Sequence, residues 1–401
     1  MIKVFIPYGA YWSTPFSKWQ GAFSDLHSLR FATYVAQKEI AKRGLDIEKV
    51  DFGVLGMSVP QKHAFYGLPW VMGELGAPSV AGPTVSQACA TSARMLQTAV
   101  AEIQQQTATV ALAIAADRTS NSPHIYYPQR QAQGGVGQHE DWVLDNFFYD
   151  PYAKVSMLTT AENIAAQGGF STAKQNEVVL RRYEQYMDAT KNQNQFQKKY
   201  MSLDFEYPNA SFKKVQGLLQ GDEGIIPVEA EKLQRLGPVL EGGTINYAGQ
   251  THPADGNAAM LVTTQEIAEE FSQDSTIQIE IIGFASARVE KAHMPAAIVP
   301  AAQQVLKRHQ LTIHAIAAIK THNPFVVSDM YFAQQFGIDV LNINNYGCSL
   351  IWGHPQSPTG LRSIIELIEE LVLIGGGYGL FTGCAAGDSA MAVLIKVGDK
   401  K

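Results

Sequence analysis

Cysteine is nearly absent from this chain: three residues in 401 cannot build a disulfide framework, and none of their spacings matches a zinc-ligand pattern. Each cysteine therefore needs its own explanation. A basic excess is missing too. The chain carries 31 Lys and Arg against 37 Asp and Glu, a net charge of −6, so no global positive field is present to hold a nucleic acid or an anionic membrane. No run reaches the roughly 18 apolar residues that a spanning helix needs; the best candidate, Thr107 to Ala116, is short and β-branched and reads as a buried strand. Neither a GxxxxGK[ST] phosphate loop, an HExxH pair nor a CxxC motif occurs. The opening MIKVFIPYGAYW has one lysine, an early proline and no small-residue cleavage site, so it reads as a first strand rather than a signal peptide, and the expected compartment is the cytoplasm.

What is present is an ordinary packed core, 46% hydrophobic and 17% charged, which excludes disorder, collagen and a coiled coil. The length suggests about two to four domain-sized units. Strand-like and helix-like segments alternate through the first 118 residues, as in an α/β protein. Ser28 to Gly44 has helical apolar spacing and stops on a glycine, Pro83 to Ala88 reads as a short strand, and ATSARMLQTAVAEIQQQ presents an apolar face at three- and four-residue intervals. From Asn121 to Asp150 the chain is rich in glutamine, glycine and aromatics without a clean period. Helical stretches at Ser156–Gln167 and Ser171–Asn192 and a turn-rich region to about Gly243 complete what reads as an inserted lobe over an active site. Regular alternation then resumes to the C-terminus. In each half a cysteine-bearing loop opens a long amphipathic helix, a faint internal repeat.

Four segments could carry chemistry. Cys89 lies between a strand and the first turn of a helix, where free N–H groups and the positive end of the dipole lower a thiol pKa; taken alone, a small buried hydrophobe explains it as well. His354, between Gly353 and Pro355, is held by its backbone in a loop before the second helix. His322 and Asn323 fall at the C-terminal edge of the IHAIAAIK strand, the usual place for α/β active sites. Cys384 lies in a glycine-rich turn between two strand-like segments.

Together these segments resemble the thiolase family, over almost the whole chain. STPFSKWQG is similar to RTPFGKFxG, with Ser13 for the usual arginine; VSQACATSARMLQTA resembles the nucleophile segment, and DRTSNSP matches the acidic-x-x-Ser-x-x-Pro that follows the next strand. MLTTAENIAAQGGFSTAKQNEVVLRRYEQY resembles the lobe's MGxTAEN helix pair and GIIPV its closing strand, NNYGCSLIWGHPQSPTGLR fits NxxGGxxxxGHPxxxxGxR, and GLFTGCAAGDSAM fits the CxGxG loop. The resemblance implies a five-layer αβαβα sandwich of two similar α/β halves, residues 1–118 with 246–275 and residues 276–401, with a CoA-binding lobe at 119–245 inserted in the first. It implies Cys89 as acyl acceptor, His354 as its base, Cys384 as second catalytic cysteine, and His322 in the position of a water-holding asparagine. The backbone N–H groups of Cys89 and Ala386 become an oxyanion site. Cys348 replaces a loop glycine and reads as structural.

Departures from the family pattern accompany the fit. Pro324 is unusual, and Ala386 and Asp388 stand for the two glycines of CxGxG; a carboxylate at Asp388 beside Cys384 would raise that thiol's pKa. AGQTHPADG is one residue short, so the pantetheine contact is Thr251 or His252. Further CoA contacts are expected at Met157 and Phe325, with Lys213, Lys214 and Arg235 for the phosphates and adenine. The implied activity is thiolytic cleavage of a 3-oxoacyl-CoA by CoA, or the reverse Claisen condensation, with CoA as substrate, no tightly bound cofactor and no metal. Expected partners are CoA, acyl-CoA, further copies of the chain in a homodimer or homotetramer, and a small accessory subunit in some arrangements. The competing readings are a synthase-type condensing enzyme, which Cys384 and the long lobe oppose, and a non-catalytic CoA-binding scaffold. Seven aromatics between Tyr126 and Tyr152 are expected either to line a pocket for a branched or aromatic acyl group or to pack the lobe and build an inter-subunit contact.

Overall fold

In the computed structural model, which describes residues 2–399, strand Phe52–Gly56 pairs parallel with Val110–Arg118, and that strand pairs antiparallel with Ala254–Thr263. The second half repeats this order and sense: Ile316–His322 parallel to Gly377–Ala385, and that strand antiparallel to Ser389–Asp399. Each parallel pair is bridged by a long helix, Thr91–Gln104 in the first half and Ser357–Leu373 in the second. The faint repeat of the sequence is thus a repeat of the βαβ unit.

Alternation along the strands builds the layers. In Val110–Arg118, residues Val110, Leu112, Ile114 and Ala116 face the core shared with helices Ser28–Arg43 and Gly67–Glu74, while Ala111, Ala113 and Ala115 face the core shared with Thr91–Gln104. Ser389–Asp399 divides the same way: Met391, Val393 and Ile395 look toward Ser357–Leu373, and Ala392 and Leu394 toward helix Ile298–Arg308 on the far side. The two long helices form the middle layer between the sheets, giving helix, sheet, helix, sheet, helix. Val4–Phe5 joins the sheets at their edge by pairing with both Thr263 and Glu280–Ile281.

Burial of the Ser357–Leu373 helix on all sides as far as Leu371 explains its run of apolar residues, and Gly360 lets it approach its partner helix: a Cβ there would lie 3.0 Å from the Ser92 Cβ. The N-termini of the two helices are tied directly. Ser92 Oγ donates to the Ser357 carbonyl and accepts the Leu361 N–H at 2.8 Å.

The lobe carries helices Met157–Gly168 and Thr172–Asn194, capped by Ser156 and Ser171, and two small hairpins, His124–Tyr127 with Gln138–Asp141 and Phe205–Pro208 with Val215–Leu219. GIIPV forms no strand; Ile225 to Val228 are irregular with no ladder partner. Among the described residues no helix is long and apolar enough to cross a membrane.

Candidate active site

The two middle-layer helices and two strand ends converge on Cys89. The chain turns into the Thr91–Gln104 helix through Ala88, whose φ of 43° is left-handed for a residue with a Cβ, a conformation costing on the order of 1–3 kcal/mol. Thr91 holds this turn, accepting the Gln87 N–H at 2.8 Å and donating to the Ala88 carbonyl at 2.6 Å. The strained elbow presents Cys89 ahead of the helix N-terminus.

His354 arrives in the loop just before the other helix. Gly353 (φ 93°) makes the turn before it, and a Cβ there would fall 2.7 Å from His252. The His354 N–H donates to the His252 carbonyl at 2.8 Å, its Nδ1 lies 2.6 Å from Thr359 Oγ1, and its Nε2 lies 3.1 Å from Cys89 Sγ. Gln356, itself at φ 64°, places Oε1 3.4 Å from the same sulfur. Asp117 staples this arrangement across the halves, its carboxylate accepting backbone N–H groups of Ser58, Val59 and Ser357 at 2.9–3.1 Å. Burial pushes Asp117 up to about 6 despite these bonds.

His322 ends strand Ile316–His322 and stacks on His354 with ring centroids 4.1 Å apart. Its Nδ1 meets Ser349 Oγ at 2.8 Å. Cys384 is fully buried as the penultimate residue of strand Gly377–Ala385 rather than in the turn expected for it; Ala386 to Asp388 make the turn. Burial, and after it the proximity of the Cys89 thiol, drive the Cys384 pKa well up.

Electrostatically, the pair at rest is not the thiolate expected at a helix N-terminus. Burial pushes Cys89 up to about 12, although the N–H groups of Ala386 and of Cys89 itself bond the sulfur and pull the other way. Burial, with His322 alongside, holds His354 well below the usual imidazole range. The desolvation of both groups outweighs the helix dipole, so thiol and imidazole are both neutral.

Asp388 also departs from expectation. Its carboxylate turns away to accept the Ala292 and His293 N–H groups at 3.0 and 2.9 Å, and Cys384 is raised by burial and Cys89 instead. Cys348 sits at 1% exposure with Asn323 Nδ2 3.2 Å from its sulfur, a packed thiol.

Thr251 and His252 run beside the catalytic loops. Thr251 donates its backbone N–H to the Pro324 carbonyl at 2.8 Å and its hydroxyl to the Ser349 carbonyl, whereas the His252 ring makes only long contacts of 3.3 and 3.4 Å. Phe325 is buried and half-buried Met157 packs in the same core. Lys213 and Lys214 are exposed in the turn between Phe205–Pro208 and Val215–Leu219, while Arg235 follows the short helix Ala230–Gln234 against Thr172–Asn194; the described contacts do not bring the three together. The motif reading missed Gln356, Thr359 and Ser349, because side chains that orient another group carry no pattern of their own.

The sulfur of Cys89 and ring nitrogens of His322 and His354 lie within 4.8 Å of one another, the one set among the described residues spaced to hold a metal ion. A cysteine facing a histidine beside convergent N–H donors defines, first, an acyl-transfer site. Residues 10–266 match the thiolase N-terminal domain model and residues 275–397 the thiolase C-terminal domain model. The chain therefore belongs to the thiolase family. It is 25% identical over 382 residues to an acetyl-CoA acetyltransferase of Allochromatium vinosum, covering 94% of this chain and 95% of that one. The crystal structure of human mitochondrial 3-ketoacyl-CoA thiolase superposes with a TM-score of 0.89 at 22% identity, over 98% of this chain and 99% of that one. The human enzyme in complex with CoA superposes at 0.87, with 22% identity and 98% of both chains covered.

Proposed function

We propose that the protein catalyses thiolytic cleavage of a 3-oxoacyl-CoA by CoA, and the reverse condensation, through an acyl group on Cys89. The observation that carries this is the 3.1 Å contact between His354 Nε2 and Cys89 Sγ, with the Ala386 and Cys89 N–H groups near enough to the same sulfur to favour negative charge there. Because the resting pair is neutral, His354 takes the thiol proton as sulfur attacks the 3-keto carbon, and the new negative charge settles on the substrate oxygen rather than on a free thiolate. Breaking the bond between C2 and C3 sends its electrons into an enolate, which Cys384 protonates. Cys384 then removes the proton of incoming CoA, whose sulfur displaces the acyl group while the Ala386 and Cys89 N–H groups hold the second oxyanion.

Cys384 beside Cys89 opposes a synthase-type enzyme, and the intact constellation opposes a scaffold. Thr251's hydroxyl is committed to Ser349, which favours His252 for the pantetheine, with Met157 and Phe325 nearby in the core; Lys213, Lys214 and Arg235 serve as candidates for the phosphates. The reducing cytoplasm suits an enzyme that keeps two working thiols.

After incubation with acyl-CoA, peptide mass spectrometry should find the acyl group on Cys89. The Cys384→Ser variant should still acylate Cys89 but turn over about 10²–10⁴-fold more slowly. A label elsewhere on active enzyme sinks the assignment.

Acyl preference is where the aromatics matter. Tyr126, Tyr127, Phe148, Tyr149 and Tyr152 are exposed, which fits a contact between copies in a homodimer or homotetramer, with or without an accessory subunit. Trp142 and Phe147 are half-buried, and Trp142 Nε1 donates to the Ser58 carbonyl at 2.8 Å, next to the Asp117 staple. These two favour a branched or aromatic acyl group, a phenyl ring contributing roughly 2–3 kcal/mol on burial. Comparing kcat/KM for acetoacetyl-CoA and a 3-aryl-3-oxoacyl-CoA decides the point: preference for the four-carbon ester returns both residues to packing.

A further inference from the structure

We infer that Ser349 locks His322 with its proton on Nδ1, so that His322 presents a bare Nε2 to the active site and serves the oxyanion through a water instead of donating to it directly. The tautomer follows from the hydrogen-bond inventory alone; its catalytic consequence rests on the acyl-transfer reading above.

Asn323 is held in a single orientation. Its Nδ2 lies 2.8 Å from Asp329 Oδ2, and Asp329 is paired with the Arg182 guanidinium at 2.8 Å, both fully buried. Asn323 Oδ1 takes the Leu350 N–H at 3.1 Å. A flipped amide would set an NH₂ against an N–H and an oxygen against a carboxylate, so the orientation is fixed. Ser349 Oγ lies 2.9 Å from that Oδ1 and also accepts the Asn323 backbone N–H at 3.1 Å. Oδ1 has no hydrogen to give, so the single hydroxyl hydrogen of Ser349 belongs there.

His322 Nδ1, 2.8 Å from Ser349 Oγ, must then bring its own hydrogen. A neutral imidazole has only one, which leaves Nε2 as an acceptor. Burial keeps the ring neutral, holding its pKa down to about 3. Nε2 is buried and has no protein partner, and it faces the space shared with Cys89 and His354.

A bare nitrogen repels a substrate carbonyl oxygen at contact distance but accepts one O–H of a water, whose other O–H then points to the substrate. No proton leaves that water, and His322 remains neutral throughout. Ser349 is therefore a positioning residue, and the Arg182–Asp329 pair makes the lock depend on the lobe helix Thr172–Asn194.

Full-length protein labelled with ¹⁵N-histidine, with His322 assigned by loss of its signals in His322→Gln, reports the tautomer in the free enzyme. The expected spectrum has protonated Nδ1 and bare Nε2; a protonated Nε2 overturns the inference even in a fully active thiolase. Ser349→Ala should lose the Nδ1–H preference and lower kcat about tenfold, the equivalent of one hydrogen bond, with little change in KM. Ser349→Thr should restore both. An unchanged tautomer in Ser349→Ala also overturns it, and if that variant does not fold the wild-type spectrum still decides. Failure of Cys89 acylation sinks the thiolase reading without moving these signals.

Discussion

At Cys89 the helix N-terminus and the low-dielectric core act in opposite directions, and the core wins. The sulfur gains hydrogen bonds from two N–H groups, yet burial at 5% exposure outweighs them and leaves a thiol raised to about 12. The sign of the pH effect follows: with a pKa far above neutrality, the thiolate fraction rises with pH across the whole range from 7 to 9. Iodoacetamide alkylation of Cys89 in the free enzyme should therefore accelerate about tenfold per pH unit there. A plateau near neutrality would reveal a preformed thiolate–imidazolium pair. Of the residues read from sequence, Cys89, His354, His322 and Cys384 stand out because reactive side chains sit at or next to the ends of strands and helices. Ser349 and Thr359 were illegible, since a hydroxyl gains its role only from what folding places 2.6–2.8 Å away.

Among the elements, the Ser357–Leu373 helix bears the most. It runs through the centre, so its polar residues must find buried partners: Arg362 clasps Asp222 of the lobe with two bonds of 2.5 and 2.7 Å, reaches Glu366 at 3.1 Å, and lies over the rings of both Phe16 and Trp352. Periodicity predicted an amphipathic helix here because arginine and glutamates interrupt the apolar run, and only their pairing makes a fully buried helix tolerable. The Arg362→Met variant leaves Asp222 without its cation and Glu366 with Lys320 alone. It should lose about 3–5 kcal/mol, the usual effect of removing one partner of a buried pair, measured by urea unfolding; a loss under 1 kcal/mol would show that the clasp is solvated.

For the whole molecule, the boundaries at 118, 246 and 275 mark units of sequence, while the packing binds both halves through one middle layer. Residues 276–399 hold four neighbouring strands of the 11-stranded sheet, but the Ser357–Leu373 helix shares its core with Met95, Leu96 and Val100 of the first half. Expressed alone, that segment should expose this apolar face, bind a hydrophobic dye and lack a cooperative thermal transition. A sharp transition would show an independent domain.

The sequence by itself determined the alternation of elements, the helix stop at Gly44, the twofold repeat and the chemically distinctive side chains, because each follows from local periodicity, backbone preference or residue type. Tertiary structure alone decided the protonation of Cys89 and His354, the turning of Asp388 toward Ala292 and His293, the proton on His322 and the exposure of the lobe aromatics. Those depend on desolvation and on contacts between residues as far apart as Cys89 and His354, 265 positions along the chain, and neither burial nor a distant partner is encoded in any local window.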